Sequence, residues 1–214
     1  QFGNDTMPQT GDNVAVEYGV TREDADQFAA ASQAKYEAAK QTGFFAGEIV
    51  GVEVPQGRKL PPKLVDQDEH PRPSSNLEAL QKLRPLFEGG VVTAGNASGV
   101  NDGAAALIIG SEAAQEKLGI QPMAKIIASA AAGIEPRIMG AGPVDAIKLA
   151  LKRANLTLDD MDIIEINEAF ASQVLACLKG LDVAFDDARV NPNGGAIAVG
   201  HPLGASGARL VLST

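Results

Sequence analysis

The residues best suited to chemistry lie at 191–209, NPNGGAIAVGHPLGASGAR, where Gly194, Gly195, Gly200, Gly204 and Gly207 surround His201. Glycine is needed where a backbone takes φ > 0 or must lie against a ligand or another segment with no Cβ between them. Five in nineteen residues is more than turns require. Pro202 restricts His201 to extended backbone and Gly200 leaves room beside the ring, so the pattern predicts an imidazole held at the end of a strand. Imidazole accepts and returns protons near neutrality, which makes His201 a candidate general base. A histidine that caps a helix start or satisfies a turn carbonyl would have the same neighbours, and residue types alone leave both readings open.

A second constellation is EINEAFASQ at 165–173, where an apolar strand runs into Asn167 and Glu168 just before a helix. Side chains at the carboxyl ends of strands in α/β sheets face the crevice in which ligands bind. Asn167 carries uncharged donors suited to a water or a developing oxyanion, although an asparagine here also reads as a plain N-cap. Glu168 is accounted for by the dipole of the first helical turn. The third stretch is VVTAGNASGVNDGAAAL at 91–107, with Gly95, Gly99 and Gly103 four residues apart. It has neither the Lys-Ser/Thr ending of a P-loop nor a GxGxxG pattern. Its small side chains would admit a narrow, extended ligand between backbone segments, and would equally serve tight helix–sheet packing. Residues 65–73, VDQDEHPRP, gather Asp66, Asp68, Glu69 and His70 at no zinc or EF-hand spacing. They predict a solvated loop without metal, in which Arg72 could clamp an anionic group. Cys177, between Ala176 and Leu178, reads as an inert core thiol.

These residues need elements to position them. Thr21 and Asp24 make a capping box, and Ala25, Phe28, Ala29, Ser32, Tyr36 and Ala39 then recur at helical spacing until Gly43. Residues 47–54 alternate as a strand, the prolines and Gly57 in 55–76 mark a loop, and Ser75 with Glu78 predicts a short helix that Pro85 ends. Beyond residue 100 apolar runs at 104–109, 124–132 and 162–166 have the texture of strands buried on both faces. Helical patterns at 111–118, 143–154, 168–179 and from 205 onward separate them. Strand and helix in alternation predict a layered α/β fold, with helices covering a mixed sheet and a loop lobe on the N-terminal side. The best boundary lies near GIQPM, giving segments 1–121 and 122–214.

With 214 residues, 45% hydrophobic, the chain can build a core. A net charge of −9 and only 4% aromatics argue against nucleic acid as a partner, because such surfaces need a basic stripe and stacking platforms. One cysteine excludes an intrachain disulfide framework and suits a reducing compartment. No apolar run approaches a membrane span and no basic, apolar leader opens the sequence, so a soluble cytoplasmic protein is expected. The chain starts at Gln1 and stops inside an amphipathic pattern, which reads as a fragment.

NEAFA at 167–171, GGAIAVGHPLGASGAR at 194–209 and TAGNASGVNDGAAA at 93–106 resemble the three signature stretches of the thiolases, the acetyl-CoA acyltransferases. The similarity runs the whole length of the chain. DEHPRP, PRIMGAGP and NPNGGAIA further resemble a branch of that family acting on 3-oxoadipyl-CoA. The resemblance implies an incomplete thiolase-like fold and thiolytic cleavage of a 3-oxoacyl-CoA, here 3-oxoadipyl-CoA to succinyl-CoA and acetyl-CoA. The alternatives are an acetoacetyl-CoA type of acetyltransferase and a noncatalytic acyl-CoA binding module. By this resemblance His201 activates a nucleophilic cysteine and lines an oxyanion hole, and Asn167 holds the water that completes it. Ala94 and Ser98 lie along the pantetheine arm, Met139 and Phe170 close its pocket, Met7 lies near the acyl group, and Arg72 meets the nucleotide end of coenzyme A. Coenzyme A enters as substrate, no tightly bound cofactor is implied, and the whole protein would be a homodimer or homotetramer. Neither of the family's two catalytic cysteines is matched by Cys177, so the chain alone is expected not to turn over. Thr6 stands before Met7 where many acetoacetyl-CoA thiolases carry a histidine, which favours a degradative reading.

Overall fold

The computed structural model describes residues 4–214. Helix α1 spans Met7–Tyr18, a stretch the sequence patterning assigned to no helix. Its start is local chemistry: Gln9 Oε1 accepts from the Thr6 N–H at 2.7 Å and from its hydroxyl at 2.9 Å. Gly19, at φ 62°, ends it in the left-handed conformation. Helix α2 spans Arg22–Gln41 with the expected Thr21/Asp24 box, and the six residues of its predicted face are all buried.

Strands β1 (Val52–Val54) and β2 (Lys63–Val65) form an antiparallel pair in register Val52↔Val65. Helix α3 covers only Leu77–Gln81, and its cap is Asn76, whose side chain accepts from the Ala79 N–H at 2.9 Å, in place of the expected Ser75. Helices α4 (Glu112–Leu118), α5 (Gly142–Ala154), α6 (Ala171–Gly180), α7 (Ala196–Val199) and α8 (Leu203–Leu212) follow. Helix α6 is the hub. Every residue from Ala171 to Leu178 is buried, and α1, α2, α5 and the 3₁₀ turn Pro136–Ala141 pack around it. A helix buried on all sides, with only Ser172 and Gln173 polar among its buried residues, belongs inside a domain.

The expected sheet is only partly present among the described residues. Run 162–166 is tied down by one parallel bridge, Ile164↔Val190, with Ile164 and Ile166 buried. Runs 104–109 and 124–132 carry no ladder, and Leu107, Ile108, Ile109, Ile126 and Ile127 are exposed. Their apolar patterning is that of strand interiors, but among the described residues no strand pairs with either run, and α5 reaches only the Ser129 carbonyl, through Arg153. The expectation of burial on both faces fails for these two runs. No helix among the described residues is long and apolar enough to cross a membrane.

The loop at 93–98 is held rigidly against this core. Asp26, fully buried on α2, pairs with Arg22 at 2.7 Å and accepts from Asn96 Nδ2 at 2.9 Å. Asn96 Oδ1 in turn accepts from the Thr93 N–H at 2.7 Å. Arg22 also donates to the carbonyls of Leu80 and Leu83, so a single guanidinium neutralises the buried carboxylate and fixes the neighbouring turn.

Candidate active site

His201 follows α7 through Gly200, so it sits at the end of a short helix and not of a strand as expected. One parallel bridge, Val100↔His201, ties it to the small-residue loop. Its N–H donates to the Gly99 carbonyl and to Asn101 Oδ1, each at 3.2 Å. The ring is fixed separately: Nδ1 lies 2.6 Å from Ser206 Oγ on α8, and that hydroxyl donates to the Pro202 carbonyl at 3.1 Å. A hydroxyl has one proton, so Ser206 accepts from Nδ1–H and leaves Nε2 with a free lone pair. Burial first, and then the Arg209 charge, hold the His201 pKa below its usual value, which keeps the ring in its neutral form at pH 7.

That lone pair faces Asn167. Asn167 Nδ2 stands 3.4 Å from His201 Nε2, across 34 residues of chain. Asn167 is not the helix cap, because α6 begins at Ala171 with Phe170 in the cap position. Its Oδ1 is buried without a hydrogen-bond partner. Glu168 departs further from expectation: it lies outside the helix and is fully buried. It accepts from Ser32 Oγ at 2.7 Å, Asn191 Nδ2 at 2.8 Å and the Ile197 N–H at 3.1 Å. Burial still pushes its pKa up against those three donors. The dipole reading of Glu168 is therefore replaced by a buried clasp between α2, the 191–197 turn and the segment carrying Asn167.

Asn191 completes that clasp. Its side chain pairs with the Ile166 backbone from both ends, Oδ1 accepting from the N–H at 2.8 Å and Nδ2 donating to the carbonyl at 2.9 Å. The amide thus stands in for a neighbouring strand and aligns the residue before Asn167. Gly195 is glycine because a Cβ there would lie 2.3 Å from the Glu168 carboxyl carbon. One of the five glycines of 191–209 thus answers to a buried carboxylate, while Gly204 and Gly207 have open space beside them.

A cavity of about 980 Å³ opens beside the His201–Asn167 pair. All eight residues singled out from the sequence, Met7, Arg72, Ala94, Ser98, Met139, Asn167, Phe170 and His201, line it. Ser98 is anchored by its N–H and hydroxyl to the Ala169 carbonyl, at 3.0 and 3.2 Å, which joins the small-residue loop to the NEAFA segment. The Arg72 N–H donates to Gln33 Oε1 at 3.0 Å, and Gln33 Nε2 donates to the Ile197 carbonyl at 3.2 Å, so α2 sets the reach of that loop. The arrangement offers a base, an uncharged donor beside it, and a mostly apolar slot leading to a cation.

Sequence reasoning missed four contributors. His70, expected in a solvated loop, lines the cavity, while Asp66, Asp68 and Glu69 are exposed as predicted. Ser206, Asn191 and Gln33 were missed because each acts through a partner distant in sequence, or through a side chain with many commoner uses. Cys177 is buried and donates to the Gly140 carbonyl at 3.2 Å, with its thiol pushed up to about 11 by burial, as befits an inert core residue.

Comparison with known families places the chain. Residues 1–113 match the model of the thiolase N-terminal domain and residues 120–214 that of the thiolase C-terminal domain. The chain belongs to the thiolase family. It is 62% identical over 211 residues to a beta-ketoadipyl-CoA thiolase of Acinetobacter baylyi, covering 98% of this chain and 52% of that protein. It is 53% identical to the 3-oxoadipyl-CoA/3-oxo-5,6-dehydrosuberyl-CoA thiolase of Escherichia coli K12, covering the whole chain and 53% of the relative. The structure of human mitochondrial 3-ketoacyl-CoA thiolase in complex with CoA superposes with a TM-score of 0.90 at 48% identity, over 97% of this chain and 51% of that one. This thiolase chain therefore spans about half the length of the relatives it matches. The match also sets the fold class: a partial, layered thiolase-like α/β fold, helix-rich here with one small sheet.

Proposed function

We propose that this chain is the part of a thiolase that holds the catalytic histidine and asparagine and most of the coenzyme A slot. In this reading the whole protein cleaves 3-oxoadipyl-CoA with coenzyme A to succinyl-CoA and acetyl-CoA. The observation that carries the reading is the His201 Nε2 lone pair facing Asn167 Nδ2 at 3.4 Å on the wall of a single large cavity. The names of the 62% and 53% identical relatives support the substrate.

The chemistry follows from the tautomer. His201 Nε2 takes the proton of a cysteine thiol, and the thiolate attacks the 3-keto carbon of the substrate. The oxyanion is met by the new Nε2–H and by a water held on Asn167. The bond between C2 and C3 breaks, acetyl-CoA leaves after its C2 carbanion takes a proton from an acid, and a succinyl thioester stays on the cysteine. The conjugate base of that acid then takes the proton of the coenzyme A thiol, the thiolate attacks the thioester, and the cysteine leaves with the proton His201 had held, releasing succinyl-CoA and restoring both groups. Cys177, buried with its thiol pushed up to about 11, serves neither cysteine role, so both are assigned to the whole protein outside these 214 residues.

Ala94 and Ser98 line the pantetheine arm, Met139 and Phe170 close its pocket, Met7 borders the acyl chain, and Arg72 meets the nucleotide phosphates. Residues 1–121 end the N-terminal half with its loop lobe and 122–214 begin the C-terminal domain. A cytoplasmic homodimer or homotetramer working in aromatic degradation completes the reading.

The test is steady-state thiolysis by the whole protein, with 3-oxoadipyl-CoA and acetoacetyl-CoA side by side. Succinyl-CoA formation with a several-fold preference in kcat/KM for the longer substrate supports the proposal. Preference for acetoacetyl-CoA overturns the substrate. Binding of both without turnover overturns the enzyme and leaves a noncatalytic acyl-CoA binder.

A further inference from the structure

The chain has two histidines, and both line the same cavity. Between them stands Asn101. Its Oδ1 accepts from the His201 N–H at 3.2 Å, and its Nδ2 faces His70 Nδ1 at 3.4 Å. We propose that Asn101 is a positioning residue that couples the two histidines: its amide can hold the His201 backbone only while His70 is uncharged. The inference rests on the reading of His201 as the base.

An amide has one acceptor end and one donor end. The His201 N–H can only donate, so it fixes Oδ1 on its side and turns Nδ2 towards His70. A neutral His70 meets that donor with the lone pair of Nδ1. Protonation puts a hydrogen on both ring nitrogens, so a donor then faces a donor. Flipping the amide does not help, because Nδ2 would then oppose the His201 N–H. One of the two contacts must be lost, and with the Asn101 contact gone the His201 backbone N–H keeps only its bond to the Gly99 carbonyl.

The backbone is cut to fit this bridge. A Cβ on Gly99 would lie 2.4 Å from His70 Cε1, and a Cβ on Gly200 would lie 2.4 Å from Asn101 Oδ1. Two glycines on different segments thus clear space for one ring and one amide. The charged groups acting on His70 are Asp68 and Arg72 of its own loop, while the hydrogen bond to the Ile197 backbone is neutral. Burial and Arg72 hold its pKa down against Asp68 and Ile197, so the ring is neutral in the coupled state.

The experiment uses the whole protein with labelled histidine, following the His70 and His201 imidazole signals by NMR and thiolysis rates across acid pH. In the unmodified protein the His201 signals are expected to shift at two pH values, its own and that of His70, and the acid limb of kcat/KM should be steeper than a single protonation. His70→Gln should reduce that limb to one proton. Asn101→Asp keeps an acceptor for the His201 N–H and sets a carboxylate against His70, so it should raise the His70 pKa by about 1 unit or more. Asn101→Ala should make the two histidines titrate independently. Should His201 respond to a single protonation in the unmodified protein, and the limb keep its slope in His70→Gln, the coupling does not exist. Coupled NMR titrations in a protein that performs no thiolysis would uphold the bridge and refute the acyltransfer reading instead.

Discussion

Ser206 Oγ stands 2.6 Å from Nδ1 of His201 and donates its own hydrogen bond to the Pro202 carbonyl. The hydroxyl therefore decides which ring nitrogen is bare. Ser206→Ala removes that choice and lets the Nε2–H tautomer compete, so kcat/KM for thiolysis should fall by about tenfold, near 1.4 kcal/mol, the scale of one hydrogen bond. Ser206→Thr, which keeps the hydroxyl, should recover most of the loss. Equal rates for all three forms would remove Ser206 from the site.

Removing the proposed base should cost more. His201→Ala is expected to lower kcat by about 10²–10⁴-fold while KM changes little, because the slot for coenzyme A is left intact. Steady-state kinetics in the whole protein decide it, and near-normal turnover would show that another group takes the thiol proton.

Glu168 should matter through Asn167 and through stability. Glu168→Ala strands the Ser32 hydroxyl, one N–H of Asn191 Nδ2 and the Ile197 N–H in a fully buried site. The expected loss is about 2–4 kcal/mol in urea unfolding, with kcat reduced as the Asn167 segment loosens. Glu168→Gln keeps acceptor and volume and should lie between the two. An unchanged unfolding midpoint in the alanine variant would contradict the clasp.

Glu165 sets a pH dependence of unusual sign. Burial pushes its pKa from 4.5 up to about 7, against the attraction of Arg209 at 3.8 Å. Between those values the folded chain keeps a proton that the unfolded chain gives up, so this group's contribution to stability falls as pH rises from about 4.5 to 7. His70 and His201, both lowered, act the other way, adding stability as pH rises towards 6.5. Comparing Glu165→Gln with the unmodified chain cancels the histidines. The glutamine variant should gain stability relative to the parent on going from pH 5 to pH 8, and parallel urea midpoints across that range would refute the assignment.

Cys177 offers a check on the chain itself. With its thiol pushed up to about 11 inside the core, it should resist iodoacetamide at pH 8 in the folded state and react once urea unfolds the chain. Rapid labelling of the native chain would mean that α6 is not the buried hub.

What the sequence determined by itself was local. The box at Thr21 and Asp24, the buried face of α2, the inert Cys177 and the positions of most helices follow from bonds between residues three or four apart and from apolar spacing. The types of His201 and Asn167 and their glycine-rich settings marked them as candidates, and the family resemblance supplied their roles. Only the tertiary structure decided that they meet, because their 3.4 Å approach depends on Asn191 bonding the Ile166 backbone and on Glu168 joining α2 to the 191–197 turn. It alone brought His70 from an acidic loop into the cavity, and gave Glu168 three donors in place of a helix dipole. The runs at 104–109 and 124–132 mark the same limit from the other side: apolar patterning encodes a demand for burial and leaves open which segment meets it.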